Sequence, residues 1–156
     1  MRAISRRRFA LATLVLTCTM LTGCVPEPAL FLRSSAEGFT VRVCGPGTIE
    51  ALRVDTLASG APVSDGWDER WALSGKAGVL DYMDIQYGVV PNGLEAAGNP
   101  QQVDLSTQDL RVEVLLVPES GVQTRQITAI FEGRTATDLA WTAQGGREVP
   151  NPCSDQ

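Results

Sequence analysis

The chain has 156 residues, 13 of them basic and 18 acidic, and its net charge is −5. An acidic protein repels phosphate backbones, so we expect no nucleic-acid partner. The sequence contains no histidine. This excludes Ser-His-Asp and Cys-His nucleophile arrangements and the histidine sites that usually hold zinc or copper.

The first 23 residues have the composition of a secretory signal. Arg2 and the three arginines at residues 6–8 precede an apolar run from Phe9 to Leu21. A run of about 13 residues is shorter than the ~20 that span a bilayer, so a retained membrane anchor is the less favoured interpretation. The run ends in Leu21-Thr22-Gly23-Cys24, which resembles the lipobox of bacterial lipoproteins.

The lipobox resemblance implies that the signal is cleaved between Gly23 and Cys24 and that the Cys24 thiol carries a diacylglycerol group. Two acyl chains hold a protein on a membrane far longer than one. We therefore expect a lipid-anchored protein on the extracytoplasmic face of the cell membrane, with residues 24–28 as a tether and residues 29–156 as one domain. Ser5-Arg6-Arg7-Arg8-Phe9 also resembles the twin-arginine export motif, and an ordinary Sec signal remains open.

Removal of the signal leaves nine basic and 18 acidic residues, a net charge of −9. It also reduces the number of cysteines that can pair, because Cys18 leaves with the signal and Cys24 carries the lipid. Cys44 and Cys153 then remain, and in an oxidising compartment they are predicted to form a disulfide bond. Two separate buried thiols are the alternative.

Short segments of alternating hydrophobicity follow one another along the mature chain, with Gly, Pro and Ser between them. In the third segment the alternation slips near Ala51, which predicts a β-bulge. The predicted strands cover residues 29–33, 39–43, 48–57, 67–73, 79–90, 109–117, 122–132 and 137–143. About eight strands with almost no helical period predict an all-β fold, an antiparallel β-sandwich that is immunoglobulin-like in the broad sense. This layout is similar to that of small secreted β-domain lipoproteins of high-GC Gram-positive bacteria.

Two local expectations follow from the same alternation. Trp67 and Trp71 share their parity with Leu73, so both tryptophans are predicted to lie in the core. The long connection 91–108 is rich in Asn, Gly, Pro and Gln, and residues 94–97 within it are expected to form one helical turn.

Acidic side chains are the remaining candidates for chemistry. The tight carboxylate pairs are Asp68 with Glu69 and Asp81 with Asp84, and their parities direct each pair to opposite faces of a strand. The oxygen ligands of residues 64–69 lack the spacing of an EF-hand calcium loop. We therefore predict no catalytic residue, no metal site and no cofactor.

The function expected from these features is binding or scaffolding without catalysis. The partners are then the membrane, through the lipid on Cys24, and an unidentified protein or cell-wall component. A carboxylate-based hydrolase acting on cell-wall polysaccharide is one alternative. An accessory subunit of a membrane transporter or sensor is another.

The strand count also predicts where a partner binds. Connections 58–66 and 91–108 both follow odd-numbered strands, so they are expected at the membrane-distal end, with Cys44 and Cys153 at the proximal end. Long connections on a rigid sandwich commonly carry binding sites. The contact residues predicted there are Pro62, Asp65, Trp67, Asn92, Leu94 and Gln102.

Overall fold

The computed structural model describes residues 28–35, 38–119, 123–133 and 140–154. Within these ranges the chain forms ten strands in two five-stranded antiparallel sheets, which confirms the predicted all-β sandwich. The strands are β1 (Ala29–Ser35), β2 (Gly38–Cys44), β3 (Gly47–Ala58), β4 (Asp68–Val79), β5 (Tyr82–Gln86), β6 (Leu94–Ala96), β7 (Gln108–Val117), β8 (Arg125–Phe131), β9 (Trp141–Ala143) and β10 (Glu148–Val149).

The strand order is β10-β9-β1-β2-β5 in one sheet, called sheet A here, and β6-β4-β3-β7-β8 in the other, sheet B. Alternate side chains of both sheets meet between them and form the main core. Val43, Ile49, Val54 and Val112 are 0% exposed there. Each such side chain contributes about 1.5–3 kcal/mol relative to an exposed one.

The predicted β-bulge near Ala51 is confirmed. The register of β3 shifts between Ile49 and Ala51 against both of its neighbours, β4 and β7. Ile49 and Leu52 have different parities, yet both are buried in the main core. The extra residue at the bulge therefore returns the later apolar side chains of β3 to the inward face.

A second register shift was not predicted. Val54 pairs with Trp71 and Asp55 pairs with Glu69, so Arg70 is an extra residue on β4. Trp71 is 3% exposed in the core. Trp67, beyond the shift, is half-buried and lies over Arg111 on the outer face of sheet B. The expectation that Trp67 lies in the core was therefore wrong, because the extra residue reverses the parity.

The segment around Leu94 is a short strand, so the expected helical turn was wrong. β6 pairs with β4, with Leu94 opposite Gly75 and Ala96 opposite Leu73. Gly75 and Gly93 permit this pairing, because a Cβ on Gly75 would overlap the carbonyl oxygen of Gly93. The predicted strand 79–90 is likewise divided between the end of β4 and the whole of β5.

The two ends of the sandwich differ. At one end, called the disulfide end, Ala29 at the start of β1 pairs with Cys44 at the end of β2. Cys44 is bonded to Cys153 there, with a Cα–Cα distance of 5.4 Å, which confirms the predicted disulfide. Cys44 also packs with Phe31 and Trp141 in a small cluster on the outer face of sheet A.

Several sequence predictions lie outside the described residues. They are the signal, Gly23 and Cys24 in residues 1–27, residue 122, and residues 137–139. Within the described ranges, no helix has the length and apolar character needed to cross a membrane.

Candidate contact surface

Two connections meet at the end of the sandwich opposite the disulfide, called the loop end. Residues 59–67 join β3 to β4, and residues 97–107 join β6 to β7. The Ser59 amide donates a hydrogen bond to the Thr107 carbonyl over 2.9 Å, so the two connections are in direct contact. Together they form one continuous surface at this end.

The predicted contact residues in the first connection are on the surface. Pro62 and Asp65 are exposed; Pro62 directly precedes a 3₁₀ turn, Val63–Asp65, and Asp65 is the last residue of that turn. Val63 in this turn is 68% exposed, a large value for an apolar side chain. Gln102, in the second connection, is exposed at the same end.

Asn92 and Leu94 lie elsewhere. The residue that follows Asn92, Gly93, accepts a hydrogen bond from the Lys76 amide over 2.7 Å. Lys76 is eight residues along β4 from Asp68, roughly 26 Å from the loop end. Leu94 is 5% exposed in the main core and offers no surface to a partner. Neither residue therefore belongs to the loop-end surface, because β6 divides the connection that was predicted from the sequence as one loop.

Tyr87 holds the second connection against the core. Its hydroxyl lies 2.6 Å from the Gln101 carbonyl and 3.2 Å from the Arg70 carbonyl. Its ring stacks on Phe39 and meets Trp71 edge-on. Burial raises the pKa of Tyr87 to about 12, although the positive charge of Arg70 acts to lower it. The hydroxyl therefore stays protonated near neutral pH and remains a hydrogen-bond donor.

Two carboxylates fix the backbone of the same end. Asp104 accepts hydrogen bonds from the amide and hydroxyl of Ser106 and from the Thr107 hydroxyl. The Ser106 and Thr107 hydrogen bonds lower the pKa of Asp104. Asp109 accepts from the Ser59 hydroxyl over 2.8 Å and from the Gly133 amide over 3.2 Å. These acids therefore hold the connections in place.

Trp67 is fixed by a charged network on the outer face of sheet B. Asp55 is 0% exposed although it points away from the core. Arg53 Nε donates to one carboxylate oxygen over 2.7 Å, and Arg111 donates to the other through Nη2 over 2.7 Å and Nε over 3.0 Å. The Arg111 guanidinium lies 5.0 Å from the Trp67 ring centroid. The hydrogen bond that Arg53 donates to Asp55 raises the pKa of Arg53.

Three of the four carboxylates that the sequence marked for chemistry are in ion pairs, and the fourth, Asp81, is exposed in the turn between β4 and β5. Glu69 pairs with Arg53 over 3.1 Å and Asp68 with Arg70 over 3.5 Å, both at the loop end of sheet B. Asp84 accepts two hydrogen bonds from Arg42 in sheet A, at 2.6 and 2.7 Å. In the described part of the chain, no three His, Cys, Asp or Glu side chains are grouped so that they could hold a metal ion.

A cleft of about 670 Å³ at the disulfide end was not predicted. It lies between β1 and β8, with Phe31, Ile127, Val149 and Arg147 in its lining. Its volume is within the range of small-molecule sites. No pattern in the sequence indicates it, because it depends on how strands of two different sheets, far apart in the sequence, lie beside one another.

Fold and surface together define a class of domain, an antiparallel β-sandwich with one disulfide at one end and two packed connections at the other. No family model, curated protein or solved structure matches the chain.

Proposed function

We propose that the protein is a lipid-anchored, extracytoplasmic domain that binds or scaffolds a protein or cell-wall partner through its loop end and catalyses no reaction. The contact between the two connections, from the Ser59 amide to the Thr107 carbonyl, carries this proposal. It makes one surface of two long connections, and long connections on a rigid frame commonly hold binding sites.

The position of the chain entry supports this orientation. Pro28 precedes β1 at the disulfide end. Pro28 is four positions after Cys24, so an anchored domain begins within about 13 Å of the lipidated residue. β3 runs for 12 residues from the disulfide end to the loop end, roughly 40 Å. A lipid on Cys24 therefore leaves the loop end facing away from the membrane.

The chemistry of the loop end favours binding over hydrolysis. A carboxylate hydrolase needs one carboxyl group to donate a proton and a second to act as base or nucleophile. Asp68 and Glu69 are each paired with an arginine, and Asp109 holds backbone and hydroxyl groups. Val63 and the half-buried Trp67 give the surface the apolar and aromatic character of protein contact sites.

The anchor is tested with Cys24→Ser. We expect the wild type to incorporate a fatty-acid label and to partition into detergent, because the lipid is attached to the Cys24 thiol. The variant should remain an uncleaved precursor of higher mass, with no label. Mass spectrometry of the two proteins measures both outcomes. An unlabelled wild type that stays in the aqueous phase would show that the anchor is wrong.

The contact surface is tested by a photo-crosslinking amino acid placed at Val63 in the cell-expressed, full-length protein. We expect an adduct of higher mass from Val63, because this side chain is 68% exposed at the loop end. Arg125, which is exposed at the disulfide end of β8, is the control and should give none. Adducts from Arg125 and none from Val63 would show that the partner binds away from the loop end.

A further inference from the structure

The turn between β4 and β5 exposes an apolar side chain at the disulfide end. Leu80 is 80% exposed and Tyr82, the first residue of β5, is 53% exposed. Neither side chain belongs to the loop-end surface, because Tyr82 pairs with Cys44 at the opposite end of the molecule. An exposed leucine at the tip of a tight turn contributes nothing to the core.

This turn adjoins the point where the chain enters the domain. The Gly45 amide donates a hydrogen bond to the Asp81 carbonyl over 2.9 Å. Gly45 in turn lies against Pro28, since a Cβ on Gly45 would be 3.3 Å from the Cβ of Pro28. Leu80 directly precedes Asp81, so the turn contacts Gly45 and Gly45 in turn contacts Pro28.

The length of chain before Pro28 limits how far the turn can be from the anchored residue. Four residues reach at most about 13 Å. A lipid on Cys24 would therefore keep the tip of the turn next to the bilayer surface. At this position, the partner available to the exposed Leu80 side chain is the membrane itself.

We propose that the β4–β5 turn docks on the lipid bilayer, with Leu80 inserted into the interface and Tyr82 at the level of the headgroups. This proposal rests on the lipid anchor of the proposed function and adds a second, non-covalent contact with the same membrane. Interfacial side chains of this kind bury their apolar part and keep their polar part in water. Tyrosine is enriched at this depth because its ring is apolar and its hydroxyl is polar.

The surroundings of Tyr82 orient its ring in advance. The Arg42 guanidinium lies 4.2 Å from the ring centroid. Asp84 fixes that guanidinium through two hydrogen bonds, and the guanidinium also lies 4.2 Å from the centroid of the Trp141 ring. The Tyr82 ring is therefore held by a fixed guanidinium on sheet A. Asp81, exposed between Leu80 and Tyr82, limits the insertion to headgroup depth, because its carboxylate must stay hydrated.

The test compares Leu80→Trp with Val63→Trp in the full-length, lipidated protein on phosphatidylcholine vesicles. Val63 is the matched control, because it is 68% exposed and lies at the loop end. Half of the vesicle preparations carry bromine on the acyl chains, and the wild type supplies the background of the three native tryptophans. We expect the added emission of Leu80→Trp to fall by about twofold or more, since interfacial groups enter ~5–10 Å into the boundary of headgroups and acyl chains. The added emission of Val63→Trp should not change.

Amide hydrogen exchange of the wild type tests the docking of the β4–β5 turn without a substitution. Exchange at residues 80–82 should slow on vesicles, and exchange at residues 63–65 should not. A protein that floats with the vesicles but shows neither quenching nor slower exchange at the turn would overturn the docking and leave the anchor intact. A wild type that neither takes a fatty-acid label nor floats would overturn the anchor, and the docking with it.

Discussion

The double substitution Cys44→Ala and Cys153→Ala is expected to lower the free energy of unfolding by about 4–5 kcal/mol. The bond joins residues separated by 109 positions, so it removes much of the conformational freedom of the unfolded chain. Alanine is the better replacement at Cys44, which is 1% exposed, because serine would bury an unpaired hydroxyl. Denaturant unfolding measures the difference, and the midpoint of thermal unfolding should fall by more than about 10 °C.

Reduction supplies the control for this prediction. The wild type in a reducing agent should unfold like the double variant, and the double variant should not respond to the reducing agent. A loss below about 1 kcal/mol in water would show that the unfolded chain remains compact without the bond. In that case the entropic account of its contribution is wrong for this domain.

Asp55→Ala is expected to lower the free energy of unfolding by about 3 kcal/mol, near the lower end of the cost of breaking a buried ion pair. Arg53 and Arg111 both donate to Asp55, whose side chain is 0% exposed. Without the carboxylate the two guanidinium groups lose their shared anion, and the acidic partners left to them are Glu69 for Arg53 and Glu113 for Arg111. The cost stays near 3 kcal/mol because both arginines are partly exposed and can recover some hydration.

Asp68→Ala is the matched control for Asp55→Ala. Asp68 also pairs with an arginine on sheet B, but its side chain is 79% exposed and the pair distance is 3.5 Å. An exposed pair of this kind contributes less than ~1 kcal/mol. Equal losses for the two variants would contradict the assignment of Asp55 as the centre of the network. The double variant Asp55→Ala, Arg111→Ala should recover part of the loss, because it removes one of the two guanidinium groups that Asp55 had paired.

Much of the fold could be predicted from alternation alone. β7 alternates without interruption, and Leu110, Val112, Val114 and Leu116 are all buried. The slip at Ala51 was visible because apolar residues changed parity on either side of it. The shift at Arg70 was not, because no apolar residue precedes it on β4 to show the change, and Trp67 was therefore assigned to the wrong face.

The candidate surface could be predicted only in part, because the decisive contacts join residues far apart in sequence. Parity places Asp55 on an outer face, where a charged residue is ordinarily hydrated. Its burial depends on Arg111, 56 residues later, and on the Trp67 ring above that guanidinium. β6 was not predicted because it has three residues, opposite a stretch of β4 that contains Gly75, and an alternation of hydrophobicity cannot be recognised over so short a segment.

The disulfide also determines how the protein would transmit a mechanical load. A force applied between the segment before β1 and the segment after Cys153 would pass from Cys44 directly to Cys153 through the sulfur atoms. Only β1 and β2 lie on that path, and β3 to β10 belong to a covalent ring that carries no tension. Without the bond, the same 109-residue separation could extend by roughly 380 Å under load. The single cross-link thus keeps sheet B, and with it the loop end, intact while the chain around it is pulled.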